Sequence, residues 1–558
     1  MEKKIEKRSS TKAAQSLFLK IHPDDNVLVA LRDLEPGTKV SSNDSSFELP
    51  ENVAAKHKFF EHDMHMGDGV IMYGVLVGKL QTDVFKGQAM TTANTKHAAG
   101  KYEYRSFQYT WQAPDISRFA HKTFNGYKRS DGHVGTANYW LFIPTVFCEN
   151  RNLDVIKEAM WNELGYAVTD RYKRFTRQML QAHRTGDDID NIDLNPLSLN
   201  TERYFKNVDG IKFLNHAGGC GGTRQDSATL SALLSSYADH PNVGGVTVLS
   251  LGCQHLQVKN FLNDLKQRNP HFDKPLYVFE QQQIQSEEQL ITDAIRQTFK
   301  GLVEINKQER EPAPLSALCV GVKCGGSDGF SGISANPAIG YTSDLLVALG
   351  AKILLAEFPE LCGAEQELID RSVNEETANK FIRLMETYNH QAKQVGSGFH
   401  MNPSPGNIKD GLITDAIKST GAARKGGTAP VVSVLDYTEP ATKPGLSLVC
   451  TPGNDVESTT GQTASGATLI LFTTGLGTPT GNPVAPTIKL STNSRLAKRM
   501  NDIIDIDTGP IIDGEKTIQQ MGEEILDFCI KVASGEIIPK AVQLAQDDFI
   551  PWKRGVSL

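Results

Sequence analysis

The sequence predicts a multidomain α/β protein in which a small β-rich module precedes larger domains with largely parallel sheets. Three observations predict it. From residue 126 onward, strand-like apolar runs alternate with helix-like runs, as they do where crossover helices join parallel strands. Before that point the β-prone runs are short and separated by turn residues, which argues against a parallel sheet there. The length of 558 residues leaves room for about three domains, each with its own core.

Taken in order, residues 1–15 (MEKKIEKRSSTKAAQ) read as a mobile tail, charged and not followed by an apolar stretch. Residues 16–96 form the β-rich module, and 97–125, polar and aromatic with little periodicity, read as a linker. Residues 126–308 form the first α/β domain. ANYWLFIPTVFC (137–148), VDGIKFLNH (208–216), VGGVTVLSLGC (243–253) and LYVFEQ (276–281) are its strands, with helical runs between and after them. The charged, proline-containing KQEREPAP marks a boundary. Residues 309–558 then form a second α/β domain with strands in SALCVGVKCGG, AKILLAEFPE, APVVSVLDY, GLSLVCTPGND and ATLILFTTGLG.

Composition narrows the function. The formal net charge of -7 is spread without a basic block, which argues against nucleic acid as a partner. No apolar run approaches the ~20 residues of a membrane span. Eight cysteines in so long a chain form no dense disulfide framework. A cytoplasmic protein with free thiols, core cysteines or metal-bound cysteines is expected.

In open α/β sheets, ligands bind beyond the carboxyl ends of the strands. Cys148, Cys253 and Cys324 each stand at the end of a predicted strand; His216 ends another, and Cys220 lies in the loop after it. A lone free cysteine is by default a small buried hydrophobe. Four at strand ends suggest a shared thiolate site, although their separations exclude a compact CxxC signature. Three thiolates on a cluster and a single Fe(II) with harder ligands both remain open. The loops AGGCGG (217–222) and CGGSDG (324–329) offer amides, a hydroxyl and a carboxylate to an anion, or are simply tight turns. GLGTPTG (475–481) has the wrong spacing for a dinucleotide loop. His57, His62 and His65 cluster in KHKFFEHDMH, where surface histidines are the commoner reading.

KIHPDDNVLVAL, GYKRSDGHVGTANYW, HPNVGGVTVLSLGC, CGGSDGFSGISANPAIGYTSDLL, EFPELCGAEQ, NPSPGN, TPGNDVESTTGQTASGA and TTGLGTPTG together resemble the altronate and galactarate dehydratases, from about Leu17 to the C-terminus. GAEQ and the tail KRGVSL look more like the altronate enzymes. The resemblance implies an N-terminal β-clip domain of the SAF type and a cytoplasmic hydro-lyase of hexuronate catabolism. Its substrate would be a small-molecule sugar acid, its cofactor Fe(II) or Mn(II), with an iron–sulfur cluster as the alternative form of the iron. A homo-oligomer is plausible. Cys148, Cys220, Cys253 and Cys324 fall on cysteines that the family motifs carry, and His22 and His57 match histidines of the N-terminal module. The chain departs from the pattern at Thr91-Thr92-Ala93-Asn94 (for His-x-His-Asn), Ala137, Gln254 and Leu476.

The expected function is dehydration of D-altronate to 2-dehydro-3-deoxy-D-gluconate. Cys148, Cys220, Cys253, Cys324 and His216 would hold the metal. Ser327, Asp328 and Asn336 would contact substrate, and His22 and His57 are candidate bases. Galactarate dehydration, sulfo-lyase chemistry and a non-catalytic sugar-acid-binding protein are the alternatives.

Overall fold

The computed structural model describes residues 16–42, 45–106, 108–167, 170–194 and 203–557. The expected tail lies outside them. The N-terminal module is built from short antiparallel pairs. Val27–Ala30 lies between Phe18–Leu19 and Lys58–Phe60, and Val75–Leu80 lies between Gly69–Met72 and Thr95–His97. Short strands with frequent turns cannot close a parallel crossover, so antiparallel pairing is the available solution.

The middle domain carries a four-stranded parallel sheet in the order Gly210–Phe213, Tyr139–Pro144, Val243–Ser250, Leu276–Glu280. The C-terminal domain carries a seven-stranded parallel sheet. Its order is Val431–Leu435, Gly445–Val449, Lys352–Leu355, Cys319–Cys324, Leu469–Thr474, Thr487–Ser491, Ile506–Asp507. Alternate residues along its strands enter opposite cores. Val320, Val322, Leu469 and Leu471 pack on one face, Cys319, Ile470 and Phe472 on the other. A sheet buried on both faces reads as a continuous apolar run, which is why these strands are visible in the sequence.

Two expectations about the connections are corrected. EPAP, read as part of a boundary, is a strand: Glu311–Pro314 pairs antiparallel with Thr123–Lys128, so the two ends of the middle domain are hydrogen-bonded to each other. The proline ring removes a donor but leaves the carbonyl, and an edge strand tolerates that. Nor does 97–125 simply cross to the middle domain. His97 completes a strand of the N-terminal module. Arg105 then pairs with Asp370 at 3.0 Å, Tyr109 donates to the Thr428 carbonyl at 2.7 Å, and Arg118 pairs with Glu523 and Asp527, all in the C-terminal domain. Among the described residues, no helix is long and apolar enough to cross a membrane.

The N-terminal module docks on the C-terminal domain through Lys56 and Lys58. Lys56, at φ 77°, projects its carbonyl against Gly329 and Gly411, where an added Cβ would lie 2.3 and 2.4 Å from that oxygen. Its ammonium pairs with Asp328 at 3.0 Å and Asp410 at 3.1 Å. Lys58 is fully buried and donates to the carbonyls of Lys56 (3.0 Å) and Gly411 (2.7 Å). Burial drops its pKa to about 7, well below the ordinary lysine value. Between pH 7 and 10 the unfolded chain therefore holds a proton at Lys58 that the folded chain has released, and stability rises with pH. The stability of wild type relative to Lys58→Met should increase from pH 7 to pH 9, by up to about 1.4 kcal/mol per pH unit, in urea unfolding. A pH-independent difference would mean that the docked amine stays charged.

Candidate active site

The expected metal set divides between two sheets. Cys148, Cys220 and Cys253 are exposed and follow three adjacent strands of the middle domain. Gly219, at φ 97°, lets the loop carrying Cys220 lie flat on the segment before Cys148, since a Cβ there would sit 2.3 Å from the Thr145 carbonyl. Phe147 N donates to Gly218 O at 3.0 Å and His255 N to Gly219 O at 3.1 Å, so the three cysteine loops are tied to one another. Their sulfurs are not all within 4.8 Å of one another, so they do not form a ready single-ion site. A cavity of about 240 Å³ adjoins Cys220, lined in part by Thr223, Asp226, His255 and Trp552.

His216 does not belong to the set. It is buried, its Nε2 bonds the Pro144 carbonyl at 2.8 Å and its Nδ1 accepts from Gly218 N at 3.0 Å, so both ring nitrogens are consumed by the fold. Burial pushes its pKa down to about 4. Cys324 does not belong either. It ends a strand of the other sheet and sits among charged side chains that the sequence reading passed over.

That surrounding cluster is assembled from the loops beyond the central strands of the C-terminal sheet. Lys323 Nζ pairs with Glu357 and, at 2.8 Å, with Asp455. Lys425 Nζ donates to Cys324 Sγ at 2.8 Å and lies 3.6 Å from Glu357. Lys418 pairs with Glu360 at 2.8 Å and donates to Asn402 at 3.0 Å. The Cys324 thiol faces Glu360 at 3.5 Å. Lys323, Cys324, Glu357, Glu360 and Lys425 are buried, and Asp455 is partly exposed. Asn402 Nδ2 donates no hydrogen bond and Glu357 Oε2 accepts none in this dry place, Oε2 meeting only the Lys425 ammonium at 3.6 Å, and this is where a polar ligand would be received.

Glu357 is also strained. At φ 73° and ψ 64° it occupies the left-handed region, held there by Thr451, whose hydroxyl accepts from Glu357 N at 3.0 Å. Burial raises its pKa, and the neighbouring Glu360 adds to the rise. Burial would also raise Glu360, but Lys418, Lys323 and Lys425 together hold it below the ordinary carboxylate range. Two adjacent carboxyls driven apart in this way are the usual preparation for acid–base work. Cys324, Glu357 and Glu360 place their donor atoms within 4.8 Å of one another. Three ammoniums already compensate them, and a divalent cation there would face all three. The cluster suits proton transfer and the binding of an anion.

The expected substrate contacts mostly serve the fold. Asp328 accepts from Phe330 N, Ser331 N, the hydroxyls of Ser331 and Thr492, and Lys56. Asn336 donates to Gly421 O and accepts from Thr473. Ser327 is buried beside them, and its carbonyl accepts from Asn407. His22 lies against Gly74 and accepts from Asp24 N at 3.2 Å, while His57 bonds the Lys409 carbonyl at 3.1 Å; neither stands in the cluster. A signal for the missed residues was present. Lys323 interrupts the apolar run CVGVKC, and Glu357 and Glu360 follow directly on KILLA; charges inside or abutting a buried strand must be paired.

A strained, buried carboxyl among lysines, outside the strand ends of a parallel sheet, defines an acid–base enzyme of the α/β class. Comparison with known proteins gives its family. Residues 315–557 match the family model "D-galactarate/Altronate dehydratase, C-terminal", 126–306 match "D-galactarate dehydratase/Altronate hydrolase, second domain", and 16–98 match "Altronate/galactarate dehydratase SAF domain". The chain therefore belongs to the altronate and galactarate dehydratase family of hydro-lyases. It is 33% identical to the altronate dehydratase of Bacillus subtilis over 551 residues, covering 97% of this chain and 99% of that one. It is 34% identical to the altronate dehydratase of Escherichia coli over 523 residues, covering 93% and 95%. The galactarate dehydratase (L-threo-forming) of E. coli matches at 32% over 537 residues, 95% of each chain.

Removing one partner of a buried, compensated cluster leaves the others uncompensated. Lys323→Met, which strands Glu357 and Asp455, should cost about 3–5 kcal/mol in denaturant unfolding. A loss below about 1 kcal/mol would mean that the cluster is not held by its charges.

Proposed function

We propose that this protein is a D-altronate dehydratase of the cytoplasm, forming 2-dehydro-3-deoxy-D-gluconate in hexuronate catabolism. The observation that carries the reading is the nearly end-to-end match to two proteins named altronate dehydratase. The reaction takes the C2 proton beside the substrate carboxylate and expels the C3 hydroxyl as water. The remaining enol becomes the 2-keto acid, so one water leaves and nothing is oxidised overall.

The buried cluster supports this chemistry. Ammoniums at Lys323, Lys418 and Lys425 suit the negative charge that grows on a carboxylate as its α-proton departs. Glu357, with one oxygen free of hydrogen bonds and its pKa raised by burial, is the proposed base. Iron, as Fe(II) or in a cluster, is part of the proposal. Cys148, Cys220 and Cys253 fit it as a cluster, since three exposed thiols on tied loops can each hold a different iron. Bound iron would supply Lewis acidity toward a departing hydroxide. Galactarate is the second reading, favoured by the nearly equal match to the galactarate enzyme.

An anaerobic assay with D-altronate and with galactarate, with and without added Fe(II), tests the proposal by following 2-keto acid formation. Iron-dependent product from altronate is expected, and Glu357→Gln should lower kcat/KM by about 10²–10⁴-fold in folded protein. Product from galactarate alone would move the assignment to the second reading. Folded, iron-loaded protein silent on both would overturn it.

A further inference from the structure

Beside the lysine cluster lies a group of opposite character. His97 ends the last strand of the N-terminal module, Cys362 follows the turn Phe358–Leu361, and Asp415 opens the helix Asp415–Ala423. One imidazole nitrogen, the thiol sulfur and one carboxylate oxygen lie within 4.8 Å of one another. Asp415 is buried, and its Oδ2 has no hydrogen-bond partner. Lys418, one turn along the same helix, is committed to Glu360 at 2.8 Å, and no ion pair among the described residues reaches Asp415. Glu365 adds a second buried carboxyl beside Cys362. Burial raises the Asp415 pKa well above the ordinary carboxylate value, so its ionised form calls for a cation in place of the proton.

We propose that His97, Cys362 and Asp415 form a site for a divalent transition metal of the Zn(II)/Fe(II) class, clamping the N-terminal module to the C-terminal domain. Thiolate and the Asp415 carboxylate contribute two negative charges and neutral imidazole none, so a divalent ion balances these three ligands, while burial pushes the neighbouring Glu365 up to about 7. The mixed N, S and O donors suit borderline metals, and three protein ligands leave one tetrahedral position open. His97 differs from His216 in what the fold has taken from it. Its one recorded hydrogen bond is a long 3.3 Å contact from Ala416 N to Nδ1, whereas His216 has both nitrogens in short bonds. Loading releases the thiol proton, and any proton on the carboxyl, to solvent. This site is separate from the three cysteines of the middle domain and stands independently of the dehydratase reading.

The probe is Co(II), added to metal-free, reduced, full-length protein in which Cys148, Cys220 and Cys253 are replaced by serine. One equivalent should bind with a thiolate-to-cobalt charge-transfer band and raise the Tm. Cys362→Ser in that host should abolish both effects, and His97→Asn should weaken binding at least about tenfold, which at equal Co(II) is a loss of about 1.4 kcal/mol. Circular dichroism establishes that each variant is folded. A band that survives Cys362→Ser at full amplitude would overturn the proposal, as would a folded host that binds Co(II) with no such band.

Discussion

The charge balance of one dry place organises the C-terminal domain. Lys323, Lys418 and Lys425 face Glu357, Glu360 and Asp455 around the Cys324 thiol, and of these only Lys418 and Asp455 are partly exposed. Each charge buried without its partner would cost several kcal/mol, so the strand end at 323–324, the turn at 357–360, the helix and following turn at 415–426 and the helix start at 455 must arrive together. The strain at Glu357 follows from the same demand. Its left-handed backbone aims a carboxyl into the cluster that an extended residue would send elsewhere, and the hydroxyl of Thr451 holds it there. Four segments distant in sequence are thereby fixed against one another. The N-terminal module is then added through Lys56, whose carbonyl has room only because 329 and 411 are glycines.

Much of the architecture was legible because buried parallel strands are written as apolar runs. The strand at 243–250 and the helix at 287–305 lie where the periodicity placed them. Neighbour relations were not legible. Periodicity says which residues face a core, and nothing about which strand lies beside which. The pairing of Glu311–Pro314 with Thr123–Lys128 joins segments far apart in sequence, and its proline and charge content read as a break. The stretch after His97 lacks periodicity because it is pinned by side chains such as Arg105 and Tyr109 instead of by a ladder.

At the site, the strand-end rule was sound but was applied across two sheets as though they were one. It placed Cys148, Cys220 and Cys253 beyond three adjacent strands of the middle sheet and added Cys324, which ends a strand of the other sheet. His216 failed for a local reason, since the turn that positions Cys220 uses both of its ring nitrogens. Asp328 is taken up by the amides of its own loop, and Asn336, in the first turn of a helix, by Gly421 O and the Thr473 hydroxyl. The residues that do form the cluster were written as charges in or against apolar strands, a signal as clear as the cysteines and read past.

Three donor groups in the chain contain cysteine, and their charge environments sort them. Cys324 lies among lysines, so its neighbours are compensated from within the protein and the place favours anionic species and proton transfer. Cys148, Cys220 and Cys253 stand exposed on tied loops, open to a ligand from solvent. Cys362 and His97, half-buried, meet the buried Asp415 with no ion pair among the described residues, so a cation from outside the chain is the proposed partner. Cysteine position along the strands does not separate these cases. What separates them is whether the positive charge that a buried thiolate or carboxylate requires is already built into the fold, and that depends on lysines at 323, 418 and 425 brought in by a strand end and by one helix with the turn after it.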